Sequence, residues 1–156
     1  MQPRIKVGLI VGAVGLVLNS CIGALMGICG PGISLIAGAA AGFLAAQREK
    51  ATTKGNGARL GAVSGALAGA LVLVGQVIGA TGSLAFFQFS GTRLPIGQVP
   101  PPSAGPAAQL TYYAAGIGTG LCFGVIGILL AALAGAGTGY VGTPDQPITP
   151  GQSTTQ

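Results

Sequence analysis

Apolar residues in this chain gather into long uncharged runs separated by short polar segments, and glycine recurs within the runs at every fourth position. The runs cover about residues 5–29, 31–47, 58–80 and 110–135. A helix needs roughly 20 predominantly apolar residues to cross a bilayer. The pattern therefore predicts an all-α integral membrane bundle of four transmembrane helices. The second run is short for a crossing, and Arg48 and Lys50 can snorkel to the interface to let it span. Pro31 suits the first helical turn, so the first two runs read as a tight helical hairpin.

Between the second and third runs, Arg48 to Arg59 reads as a loop holding four of the seven basic residues. Residues 81–109 read as a long connection, and Pro95, Pro100, Pro101, Pro102 and Pro106 exclude helix from its second half. The first half carries Phe86, Phe87 and Phe89, three of the five phenylalanines. Either a short segment lying in or re-entering the interface, or a loop folded over the bundle end, accounts for them. Apolar character in the fourth run persists to Val141. That is too long for a straight crossing, so it predicts tilt or an unwound end over 134–139. Tyr112 and Tyr113 at one end and Tyr140 at the other fit an aromatic belt. Residues 142–156 read as a polar, proline-rich, disordered tail beyond a single domain of residues 1–141.

Charge placement predicts orientation. Arg4 and Lys6 precede the first run, and the other main basic group separates runs two and three. The turn at 29–32 is uncharged, and 81–109 has only Arg93. The positive-inside rule then puts both termini in the cytosol and the long proline-rich loop outside. Arg48, Lys50 and Arg59 become interface anchors, together with Tyr112, Tyr113 and Tyr140. Arg4 and Lys6 before an apolar stretch ending at Cys21 also resemble a secretory leader. The apolar run continues past Cys21, so the segment reads as an uncleaved first span.

Four-residue spacing places glycines on one helix face, where two backbones can approach closely in lipid. Gly61, Gly65 and Gly69 form one such ladder, Gly116, Gly120 and Gly124 another, and Gly38 with Gly42 a shorter one. Asn19 and Gln76 are amides within the runs and need hydrogen-bond partners in a dry environment. Both read as interhelical polar contacts, with a contact to the polar head of a quinone, pigment or lipid kept open for Asn19.

Only 6% of residues are charged, against roughly 25% in soluble domains. Seven dispersed basic residues without aromatic interleaving exclude a nucleic-acid surface. The chain has no histidine and no C-x-x-C pair, which leaves no ligand set for zinc, iron–sulfur or haem. Cys21, Cys29 and Cys122 read as small apolar residues. No acidic or basic side chain falls inside the hydrophobic core of a run, since Lys6 and Arg59 stand at run ends, which argues against a proton pump, a coupled transporter or a voltage sensor. Glu49 and Asp145 stand far apart, so no acid–base pair exists and no enzyme is predicted. Gly137 to Gly142 match G-x-G-x-x-G but follow a helix, where a dinucleotide fingerprint follows a strand.

The stretch Gly57-Ala58-Arg59-Leu60-Gly61-Ala62-Val63-Ser64-Gly65-Ala66-Leu67-Ala68-Gly69 resembles small bacterial multi-span proteins with Gly/Ala-zipper helices. That resemblance is compositional and carries no functional residue across. It implies a multi-pass protein of the bacterial cytoplasmic membrane. The lack of chemistry, the close-packing faces and the long proline-rich segments outside the bilayer point instead to an accessory role beside other integral membrane subunits, for instance in a photosynthetic or quinol-oxidising electron-transfer complex. No intrinsic cofactor is implied. A self-associating channel or passive carrier, and a stand-alone membrane scaffold, are the competing expectations.

Overall fold

A computed structural model describes residues 2–23, 30–91 and 99–144. Its elements are four helices: α1 (Pro3–Gly23), α2 (Gly30–Arg48), α3 (Lys54–Ser90) and α4 (Pro106–Val141). Three of them, α1, α3 and α4, are long and apolar enough to cross a membrane. The 19-residue α2 is not among these, since much of it is glycine and alanine and it ends on Gln47 and Arg48. At 1.5 Å per residue the 37 residues of α3 extend about 55 Å.

Helix boundaries differ from the sequence expectation at four places. The segment 81–90, expected as connection, continues α3 without interruption. Its polar residues are absorbed by the helix itself. The Thr81 hydroxyl donates to the Val77 carbonyl at 2.8 Å, and Ser83 to Ala80 at 2.9 Å. Phe86, Phe87 and Phe89 thus lie on the last turns of a long helix, not in a loop folded over the bundle end. Gly91 ends the helix at φ 64°, a left-handed conformation that glycine adopts without steric cost.

The loop expected at 48–59 is shorter, because Thr53 caps α3 by accepting from the Asn56 N–H at 3.3 Å, so Lys54 to Arg59 are helical. Pro106 at the first turn starts α4 four residues ahead of the expected span. The expected unwound end at 134–139 is regular helix to Val141. There Thr138 returns its hydroxyl to Ala134 at 3.0 Å. The first run ends as helix at Gly23, and its remaining residues 24–29 lie outside the described part, as does most of the 142–156 tail.

Contacts along the helices fix their directions. Gly8 of α1 meets Ser64 and Leu67 of α3, and farther along Gly79 of α3 meets Ser20, so α1 and α3 run parallel. Gly57 of α3 faces Gly139, while Leu84 faces Gly116, so α3 and α4 are antiparallel. Ser34 beside Gly127 and Gly42 beside Gly135 make α2 and α4 parallel. Directions therefore alternate along the chain. The helices α2 and α3 form the central pair, and among the described residues α1 and α4 do not touch. The core is built of small side chains, Ala37, Ala41, Ala68 and Val72, with Val11 and Ile33 against it.

Candidate functional site

Among the described residues, α4 lies backbone on backbone in a trough formed by α2 and α3. A Cβ at Gly38 would strike Ala131, and one at Gly42 would strike Gly135. From the other wall, a Cβ at Gly61 would strike the Gly135 carbonyl, and one at Gly65 the carbonyl of Ala131. Gly57 stands against Gly139 and Thr143 in the same manner. Glycine suits these positions because only a missing side chain lets carbonyl and Cα approach so closely.

The sequence ladders divide unequally over this surface. Gly61, Gly65, Gly38 and Gly42 line the trough, and Gly69 continues it with a Cβ position 2.9 Å from that of Ala131. Gly116 and Gly124 instead receive the leucine side chains Leu84 and Leu73, and Gly120 is 3.9 Å from the Ala80 methyl. The ridge filling the trough is Gly127, Ala131, Gly135 and Gly139, which sequence reasoning passed over. These four residues have the same four-residue spacing, but an alanine interrupts their glycines, and the last two lie in the stretch for which tilt or an unwound end was expected.

Hydroxyl groups tie the trough across helices. Ser64 donates to the Ala41 carbonyl of α2 at 3.1 Å. The Thr138 hydroxyl lies 2.8 Å from the Ala39 carbonyl and 3.0 Å from that of Ala134, and its proton is shared between them. Each such interhelical bond contributes about 0.6–2 kcal/mol in a membrane.

On the far side of α3, glycines again admit a neighbour, this time α1. A Cβ at Gly75 would lie 2.7 Å from the Leu16 carbonyl, and one at Gly12 only 2.6 Å from Leu71. Here the buried amide of Asn19 donates to the Val72 carbonyl at 3.1 Å, and Ser20 donates to Gly75 at 3.3 Å. Gln76, also buried, follows Val72 by one turn on α3. The Asn19 Oδ1 and Gln76 Oε1 atoms accept no hydrogen bond from any described residue.

Where α3 meets the start of α4, buried Gln88 organises a second polar cluster. Its Nε2 lies 2.6 Å from Gln109 Oε1 and 3.2 Å from the Pro100 carbonyl, and its Oε1 accepts from the Tyr113 hydroxyl at 2.9 Å. Tyr112 donates to the Leu84 carbonyl at 3.1 Å. Gln88 and Gln109 carried no spacing signal, since each sat in a segment expected to be loop.

The opposite end of the bundle is basic. The Arg4 backbone N–H donates to Glu49 Oε1 at 2.9 Å, which joins the start of α1 to the turn between α2 and α3. Lys54 Nζ stands 5.3 Å from the centre of the Tyr140 ring, a cation–π contact to α4. Arg48, Lys50 and Arg59 are exposed nearby in the chain. All the basic residues except Arg93, which lies outside the described part, thus belong to this end.

Among the described residues no three histidine, cysteine, aspartate or glutamate side chains gather. Cys122 is exposed on α4, while the side chains of Cys21 and Cys29 lie outside the described part. Comparison with protein-family models, with curated proteins and with solved structures finds no match.

Proposed function

We propose that this chain is a non-catalytic structural subunit that crosses the cytoplasmic membrane four times and packs beside other integral membrane subunits. The observation that carries this reading is how its glycines are used. The ladders described above face inward, and the exterior of α1 and α4 is aliphatic, with Ile10, Val17, Leu129 and Leu133 exposed. Such a body offers helix surface to lipid and to neighbouring subunits.

Four crossings are supported by α2 standing beside three helices that are each long and apolar enough to span. It alternates in direction with α1 and α3, and packing against three neighbours lowers the apolar character its own sequence must supply. The gathering of basic residues at the end shared by the α1 start and the α4 terminus supports both termini in the cytosol. A pore along the middle of one copy is disfavoured, because the trough is closed by contact between backbones.

Purification in mild detergent tests the proposal. A stoichiometric set of co-migrating membrane subunits is the expected result. A pure homo-oligomer that conducts ions in liposomes, or a monomer with no companion, would overturn it.

A further inference from the structure

We infer that Lys6, Arg48 and Lys50, at the basic end of α1 and α2, bind the headgroup of an anionic phospholipid. The inference rests on the bilayer crossing proposed above. One hydrogen bond centres the site, from the Arg4 backbone N–H to Glu49 Oε1 at 2.9 Å. Glu49 stands between Arg48 and Lys50 in the chain, and Lys6 follows Arg4 by two residues. Arg4, Lys6, Arg48 and Lys50 thus all lie at or within two residues of that bond, with Glu49 the sole acid beside them. Lys6, Arg48 and Lys50 are exposed.

At Lys50 a charge is kept against the preference of the backbone. The Lys50 N–H donates to the Gln47 carbonyl at 3.3 Å and the Ala51 N–H to Ala46 at 3.2 Å, the paired bonds that close a helix through a left-handed residue. Lys50 fills that position at φ 48°, the one non-glycine residue of positive φ among those described. At the end of α3 the same position is taken by Gly91. In a chain with 30 glycines, a lysine at this strained place is explained by its ammonium group. A helix C-terminus favours any nearby cation, but Arg48 already supplies one in the last turn of α2.

What adjoins the charges matches a lipid and not a free phosphate. On α1, Lys6, Ile10, Val14 and Leu18 are exposed and four residues apart, so they stack along one face. On α2, which runs the opposite way, Arg48 stands in line with Leu44, Ala40 and Ile36, all exposed at the same spacing. Each helix therefore pairs a basic head with about 18 Å of apolar surface leading into the bilayer. A headgroup with its acyl chains has that form.

Phosphatidylglycerol and phosphatidylcholine, titrated onto the full chain in neutral detergent and followed by native mass spectrometry, test this. Phosphatidylglycerol should bind at least about fivefold more tightly. Lys50→Gln and Arg48→Gln should each weaken it about fivefold, the attraction of one cation near an anionic headgroup, and leave phosphatidylcholine unchanged. Lys50→Gly should lose the same affinity yet melt no lower than the native chain, because glycine takes the left-handed turn without strain. Lys54→Gln, at the same end but over the Tyr140 ring of α4, should weaken binding by less than about twofold. Equal binding of the two lipids, full phosphatidylglycerol affinity in Lys50→Gly, or equal losses at Lys54 and Lys50 would overturn the site. So would inorganic phosphate that displaces the lipid at equal concentration. None of these results depends on which subunits co-purify, so the structural-subunit reading is tested separately.

Discussion

The backbone of Gly61 on α3 rests directly on the backbone of Gly135 on α4, each standing where the other's Cβ would go. This pair sets the helix separation in the trough, because any side chain there must push α4 away from both α2 and α3. We predict that Gly135→Val destabilises the bundle by about 1–3 kcal/mol or prevents folding, the usual cost of overpacking. Gly137→Ala, two residues away with nothing within 4 Å of its added methyl, should be neutral or slightly stabilising. Thermal unfolding in detergent compares the two. Equal tolerance at both positions would refute the trough.

Removing the hydroxyl staples should have a smaller effect. For Ser64→Ala and Thr138→Val we predict losses of about 0.6–2 kcal/mol each, the range for interhelical bonds in membranes. Because both tie α2 to its neighbours, denaturation of the double variant should release α2 contacts first. Cysteine pairs across α2 and α4 would report that order. A double variant as stable as the native chain would remove these bonds from the account.

At the other end of the hairpin, Gln88→Leu leaves the Gln109 amide and the Tyr113 hydroxyl without their shared partner. Leaving such groups unsatisfied costs about 1–3 kcal/mol. Amide hydrogen exchange should accelerate over 84–90 and 106–113 while residues 57–69 keep their protection. Uniform acceleration along α3 would mean that Gln88 supports the whole bundle and has no local role.

Topology has its own test. Lys54→Cys and Arg59→Cys should react with a membrane-impermeant thiol reagent only from the cytosolic side, and Gln109→Cys only from outside. The exposed Cys122 is replaced by alanine beforehand, and Cys21 and Cys29 serve as background controls. Labelling of positions 54 and 109 from the same side would be incompatible with an odd number of crossings between them.

How far the sequence could be read depended on which force decided each element. The four helices were legible because runs of apolar residues bounded by charge or proline leave little else in lipid. Helix ends were less so. Thr81 and Ser83 look like loop residues, yet in a helix their hydroxyls satisfy the carbonyls behind them. The same holds for Thr138, whose neighbours Gly135, Gly137 and Gly139 suggest unwinding by propensity alone. Two of those glycines stay helical because a neighbouring backbone rests on them, and spacing could not reveal which ladder meets which. Gly61, Gly65 and Gly69 were recognisable as a face. Their partner ridge at 127, 131, 135 and 139 was hidden by the alanine in its middle and by the expectation of an early helix end. Asn19 was legible as a deep amide, whereas its bond to Val72 required the register of α1 on α3.

That α1 and α4 do not touch among the described residues bears on how the protein is made. A ribosome delivers α1, α2 and α3 first, and these can settle against one another while α4 is still being synthesised. The bed for α4 has two walls from different helices, so it is complete only after both have been made and packed. Until residues 127–139 arrive, the glycine faces of α2 and α3 stay uncovered, and a chain cut short before them would leave that seam for another helix to fill.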